Sequence, residues 1–216
     1  MRISLNMVGL PVSLCGEYMK LTKFPKELTW INSPKEWKLF QPNSIEIIAG
    51  EKTDWFVDPS GNYNKDSAPC LSFKTESEYV IVSTKVIVYF ENMFDAGTIQ
   101  IRANEENWAK LCFEYSPQKK PMIVSVITRK VSDDCNSTII DGNEIYLRVY
   151  VNPKTMAFHY SGDGTYWQLV RYFSIEREKE VTIGFSAQSP SGESCRVVFS
   201  EIQYKEEEIK NLRSGE

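Results

Sequence analysis

Between Phe94 and Ser132 the chain places polar and charged side chains at alternate positions of strand-like runs. Gln100, Arg102, Lys110, Glu114, Ser125 and Arg129 fall on one phase, and Ile99, Ile101, Leu111, Phe113, Tyr115, Val124 and Val126 on the other. A period of two sends alternate residues to opposite faces of a sheet, so one face builds a core while the other gathers charge. Arg148 adds a further charge on the outward phase of a later alternating run, Ile145 to Val151. Strands paired in register would set Glu114 among Arg102, Arg129 and Arg148, which keep a carboxylate ionised. The surplus positive charge suits a small anion, since arginine holds a carboxylate by two parallel hydrogen bonds. In this reading the arginines bind the anion, Lys110 and Glu114 orient it, and Trp55 stacks on a sugar ring, with Trp108 and Tyr150 as further stacking candidates. The ligand class expected is an acidic sugar or related small anion. The competing reading is a solvated ladder of ion pairs, each worth ~0.2–1 kcal/mol.

Catalysis asks for more than the sequence offers. A retaining glycosidase needs two carboxylates about 5–5.5 Å apart. Glu105-Glu106 and Asp133-Asp134 are adjacent pairs, which do not converge as alternate strand positions do, and Glu114 stands alone on its strand. An inverting pair from separate strands, such as Glu114 with Asp133, stays open. No catalytic residue is assigned, and binding is expected rather than turnover. His159 is the single histidine, set in MAFHYSGDG beside a turn, and reads as structural. Cys15, Cys70, Cys112, Cys135 and Cys195 are odd in number and lack CxxC spacing, which speaks against a disulfide framework or a zinc site. Reduced thiols in a cytoplasmic protein are expected. Cys112 shares the phase of Lys110 and Glu114, and a small inert filler is its expected role. The oxygen-rich stretch Asp58 to Asp66 resembles a calcium loop in composition but reads as a polar surface loop. Asp163 in SGDG is assigned to stabilising a turn. No metal or cofactor is expected.

The elements that must position these residues are strands. The 216 residues carry a net charge of −4 and are 42% hydrophobic and 12% aromatic, which suits one β domain with a sizeable core. An acidic balance gives no general attraction to nucleic acid or to anionic membranes. No segment approaches the ~20 apolar residues of a membrane span. Residues 1–22 lack a continuous apolar stretch and are expected to be a flexible extension, with Met1 or Met19 as the start. Residues 23–205 form the domain. Residues 206–216, a charged tail, are the single helical candidate and are expected to be a solvated end. Strand-like runs recur at 44–50, 53–57, 70–74, 78–90, 94–132, 145–151, 155–160, 167–173, 181–187 and 196–204, punctuated by turns. About a dozen short strands with almost no helix indicate an all-β, two-sheet antiparallel sandwich.

Thr53-Asp54-Trp55, Trp108-Ala109-Lys110, Glu114-Tyr115, Thr128-Arg129, Ser132-Asp133, Leu147-Arg148 and Tyr160-Ser161-Gly162-Asp163-Gly164 follow one another in a characteristic order. In these motifs the chain, from about Phe24 to Tyr204, resembles the concanavalin A-like domain family of unknown function that includes the regulation-of-enolase proteins. The resemblance implies a jelly-roll sandwich like that of legume lectins and laminarinase-type glycoside hydrolases, with no agreed activity. It tilts the ligand toward carbohydrate, and the enolase-linked name suggests an intracellular protein–protein adaptor as the alternative. A carbohydrate-active enzyme is a third reading. The chain departs from the pattern at Met93-Phe94-Asp95-Ala96-Gly97, where relatives tend to carry Tyr-Asp-Gln-Ala-Gly. It departs again at Asp134-Cys135, where they tend to carry tryptophan after Ser-Asp.

Overall fold

The computed structural model describes residues 19–216. The expectations for residues 1–18, including the extension, the Met1 start and Cys15, lie outside the described residues.

The early strands are β1 (Thr29–Ile31), β2 (Glu36–Phe40), β3 (Ser44–Ala49), β4 (Trp55–Val57), β5 (Asn64–Asp66), β6 (Cys70–Thr75) and β7 (Val80–Tyr89). The middle of the chain gives β8 (Ala96–Arg102), β9 (Asn107–Tyr115), β10 (Pro121–Arg129), β11 (Val131–Ile139) and β12 (Glu144–Val151). It closes with β13 (Met156–Ser161), β14 (Gln168–Phe173), β15 (Val181–Gln188) and β16 (Cys195–Lys205). Two seven-stranded antiparallel sheets form the sandwich. The first runs β1-β6-β15-β8-β9-β10-β11 and the second β14-β13-β12-β7-β16-β3-β2. The two-sheet antiparallel sandwich expected from the alternation, and the concanavalin A-like jelly roll implied by the resemblance, are the class observed. No helix among the described residues is long and apolar enough to cross a membrane.

Alternate residues of both sheets meet in one core. Ile99, Ile101, Leu111 and Phe113 of the first sheet join Val86, Val88, Val149, Val197 and Phe199 of the second. Gly97 marks a close approach of the sheets. A Cβ there would lie 2.6 Å from Cγ1 of both Val86 and Val197.

Four expectations need correction. First, Val124 and Val126 do not face the core. The β9–β10 register pairs Val124 with Cys112 and Val126 with Lys110, so the even-numbered residues of both strands share the outer face. Ile123 and Ile127 take the core positions, and Ser125 and Arg129 belong to their phase. Met122 to Ile127 is apolar at nearly every position, so periodicity alone does not choose a side. Second, Val131–Ile139 is a strand, although its residues SDDCNST carry no apolar alternation. It lies at the edge of the first sheet and is exposed along most of its length. Third, residues 206–216 form no helix, and the segment, exposed at most of its positions, is anchored to the sheet rather than free. Ile209 is only 6% exposed and packs with Tyr150 and Ala157 on the outer face of the second sheet. Fourth, the packed unit begins before residue 23, because Met19 bridges Leu28 and Leu21 is fully buried in the core.

Gly97→Val should crowd the sheet interface and cost about 1–3 kcal/mol. At roughly 2–4 °C per kcal/mol for a domain of this size, thermal melting should fall by several degrees. An unchanged melting temperature would show that the sheets separate freely at this point.

Candidate functional site

The pairing register lines the outer face of the first sheet with rows of side chains. Gln188, Ala96, Glu114 and Met122 form one row, and Ser186, Thr98, Cys112, Val124 and Asn136 the next. Gly184, Gln100, Lys110, Val126 and Asp134 follow, then Thr182, Arg102, Trp108, Thr128 and Ser132.

The hairpin β4–β5, with its flanks Thr53 to Ala68, folds over the last two rows as a flap. Its underside is aromatic. Trp55 meets Trp108 edge-on at 6.2 Å, and its Nε1 donates to Ala68 O at 2.8 Å. The Arg102 guanidinium stacks 4.4 Å from the Trp55 ring. Asn32 Nδ2 donates to the carbonyls of Asp66 and Ala68 at one side of the flap. At the other side, Val57 N donates to Ser132 Oγ at 3.0 Å, and Ser132 in turn bonds Thr128.

Lys110 sits at the inner margin of the flap. It is 2% exposed, and its ammonium donates to Asp54 Oδ1 at 2.9 Å and Gln188 Oε1 at 2.8 Å. Burial opposes its charge, but its acidic neighbours, the Asp54 carboxylate first, hold the lysine above its usual pKa. Glu114 lies beside this pair. Burial raises its carboxyl to about 8; Lys110 pulls it down, while Asp134 and Asp54 push it up. Asp134 is also raised, first by burial, with Lys110 opposing. The Cys112 thiol, between Lys110 and Glu114 in the row order, is pushed well up by burial and is unreactive.

Polar atoms under and beside the flap have capacity to spare. Gln100 is 1% exposed, and neither its Nε2 nor its Oε1 has a hydrogen-bond partner among the described residues. The hydroxyls of Ser186, Ser67 and Tyr63 are likewise unpartnered there. The Tyr63 hydroxyl is pushed up to about 12, mainly by burial and then by the charge of Asp54. Met93 and Phe94 stand exposed at the end of this face, just before Ala96, the cross-strand partner of Glu114.

The structure splits the residues expected to form one anion site. Arg102, Lys110, Glu114 and Trp55 do meet on this face, but Trp55 is buried under Arg102 and offers no free ring to a sugar. Arg129, on the opposite phase of β10, is exposed and donates from Nη2 to Ser174 O at 2.7 Å. Arg148 lies on the second sheet, because β12 pairs with β7 and β13 rather than with β10 or β11. Glu114 is therefore not ringed by three arginines. Asp133 also faces away, bound to Arg171 at 2.9 Å, so the acid sharing the face of Glu114 is Asp134. Trp108 and Tyr150, the other stacking candidates, are buried. Sequence reasoning missed Gln100 as an unpaired group, as well as Gln188 and Asp134. Gln188 reaches Lys110 from a strand far along the chain, and no local pattern announces that contact.

Elsewhere the expected structural roles hold. Asp58 bonds Ser60 within its own loop. Asp163 Oδ1 accepts from the amides of Thr165 and Tyr166 and braces the turn after β13. Cys70, Cys112 and Cys195 are free and buried, and Cys135 is free and exposed.

Comparison with known proteins places this architecture. Regulation of enolase protein 1 of Saccharomyces cerevisiae is 28% identical over 176 residues, spanning 80% of this chain and 86% of the yeast protein. A crystal structure of a functionally unknown protein from the same yeast superposes with a TM-score of 0.76 at 25% identity, over 87% of this chain and 98% of that one. A GH43 protein from Bacillus licheniformis shares the fold at a TM-score of 0.65 and 15% identity, over 82% of this chain and 36% of the larger one. The model of the DUF1349 family, described as a protein of unknown function, matches residues 30–207. The chain thus belongs to the DUF1349 family.

Proposed function

We propose that the protein is a non-catalytic carbohydrate-binding module whose site is the outer face of the first sheet beside the flap. The observation that carries this reading is the unpaired hydrogen-bonding capacity of Gln100 next to the Lys110–Asp54 pair. Buried polar groups are normally satisfied, so such capacity favours a ligand rich in hydroxyls. Each sugar hydroxyl both donates and accepts. Protonated Glu114 supplies a donor and Asp134 an acceptor at the open part of the face, while Gln100, Lys110 and Gln188, at most 2% exposed, meet the ligand once the flap moves aside. Phe94 and Tyr63 offer apolar faces at the margin.

The ligand class changes from the one the charge pattern suggested. Asp54, Glu114 and Asp134 surround Lys110, and Arg102 is already stacked on Trp55. This balance gives no surplus positive charge, so an uncharged glycan fits better than a uronic acid.

Thermal-shift titration of the wild type with neutral and acidic oligosaccharides tests the reading. A neutral glycan at 100 times its dissociation constant stabilises the fold by about 2.7 kcal/mol, a shift of roughly 5–10 °C. The double variant Glu114→Ala/Asp134→Ala should lose the shift while still melting cooperatively. A shift that survives this variant, or none with any glycan, removes the carbohydrate reading.

A second reading takes the name of the yeast relative and rests on similarity over most of both chains. It makes the protein a regulatory partner that contacts enolase, with exposed Met93 and Phe94 as a contact point. Calorimetric titration with purified enolase checks it, and the absence of binding heat at micromolar concentrations counts against it.

Glu114 also makes stability depend on pH. Burial holds its carboxyl up at about 8 in the folded protein, against about 4.5 for a solvated glutamate. Between these values the folded state holds more protons than the unfolded chain, so stability falls as pH rises through this window. Glu114→Gln should remove that contribution. The two proteins should melt alike near pH 4.5, and the variant should melt higher at pH 8.5. Parallel melting curves across the window would show that Glu114 is ionised throughout.

A further inference from the structure

The outer face of the second sheet holds a buried cation without a counter-charge. Arg148 is 6% exposed, and no carboxylate among the described residues lies within 4.0 Å of it. Its guanidinium stacks on Trp167 at 4.3 Å. One bond leaves it, from Nη2 to Gly215 O at 3.0 Å, and its buried Nε has no partner. His159, the cross-strand neighbour of Arg148, is fully buried. It donates from Nε2 to Leu212 O at 2.7 Å, and its Nδ1 is unpartnered. Burial pushes the Arg148 pKa down to about 10, with no neighbouring charge offsetting it. Buried charges are normally paired, and a guanidinium offers five donors. Two neutral main-chain carbonyls are poor substitutes for an anion here.

Both carbonyls come from the last segment of the sequence, which covers the pair. Ile209 and Leu212 anchor it in an apolar patch with Tyr150, Ala157, Ile81 and Leu169. A turn closed by Gly215 N on Asn211 O presents the Gly215 carbonyl to Arg148. Gly215 has a φ of 76°, and a Cβ there would lie 2.4 Å from Arg148 Nη2 and 2.7 Å from Trp167 Cβ. Lys210 and Arg213 line the hollow at the seam between segment and sheet. The cover is thus held by a small apolar anchor and neutral acceptors, while the floor is built for charge.

We propose that Arg148, with His159 beside it and Trp167 against its guanidinium, is an anion site for a phosphate or carboxylate group, and that segment 206–216 covers it and leaves when the anion binds. The site is on the opposite side of the sandwich from the carbohydrate face and stands or falls independently of it. The chemistry is that of a charge-assisted fork, in which two guanidinium nitrogens bind two anion oxygens where one carbonyl now sits.

Calorimetric titration of the full chain with inorganic phosphate, and separately with succinate, tests the proposal. Gly215→Val should displace the cover without altering the floor. If the uncovered state is ~10% or less of the wild-type population, the variant should bind at least about tenfold more tightly. Gly215→Val/Arg148→Gln should lose that binding. Should the double variant not fold, Gly215→Val/Arg148→Lys keeps the charge but not the fork and should bind more weakly than Gly215→Val. Hydrogen exchange of residues 209–216 in the wild type should accelerate with saturating anion. Equal affinity in wild type and Gly215→Val, binding in neither, or binding indifferent to Arg148 overturns the site. Unchanged exchange at saturation overturns the displacement of the cover. Phosphate without succinate, or the reverse, assigns the anion class within the proposal.

Discussion

A lysine ammonium in the middle of a sheet cannot be buried without an acid, and Lys110 meets this requirement by drawing in Asp54. Asp54 is far from Lys110 in sequence, so satisfying the ammonium fixes the path of the flap. The same carboxylate accepts from Trp55 N at 2.7 Å, while the Asp54 carbonyl accepts from Ser67 N and Ala68 N. One residue therefore holds both the entry and the return of the hairpin. With those ends fixed, Trp55 is delivered onto Trp108 and Arg102 onto Trp55. Leaving the ammonium unpaired would cost on the order of several kcal/mol, more than any single contact the flap makes.

This pair also sets the character of the open part of the face. Satisfying Lys110 internally uses up the positive charge that an anionic ligand would need. Glu114 and Asp134 remain next to a neutralised lysine in a partly dry setting, so their acidity is suppressed. The result is a face of mixed donors and acceptors with little net charge to offer. Motifs scattered along the sequence converge here: Thr53-Asp54-Trp55, Trp108-Ala109-Lys110 and Thr128 with Ser132 all serve the flap and its anchorage.

The two outer faces of the sandwich are treated alike in one respect. Each has a buried cation, and each is covered by a segment that leaves the sheets. On the first, the flap brings a carboxylate. On the second, the closing segment brings only carbonyls. Arg129 and Arg171 do different work at the edge, where Arg171 joins β14 to Asp133 of β11 and Arg129 reaches Ser174 just beyond β14. These contacts span the two sheets along one side of the core.

Most of the architecture was legible because half-buried antiparallel strands write their faces into the sequence with a period of two. Runs such as Ile99 to Arg102 and Ile145 to Val151 declared which residues go inward, and the paired strands Val149–Val82 and Leu111–Ile99 agree. The pattern failed where its physical cause is absent. Strand β10 is apolar on both faces, because its outer side packs under the flap and beside Cys112, so periodicity alone does not give its phase. Strand β11 lies at an edge, largely solvated on both sides, and has no need of alternation. The candidate site residues were legible by type but not by neighbourhood. Local alternation tells which side of a strand a residue faces, not which sheet the strand joins or which distant segment covers it. By itself the sequence determined an all-β two-sheet sandwich and the burial phase of most strands, since those follow from short-range periodicity. Only the tertiary structure decided that Lys110 is neutralised by Asp54, that Arg148 belongs to the other sheet, and that residues 206–216 lie over it, because strand order and long-range closure depend on pairings the local pattern does not encode.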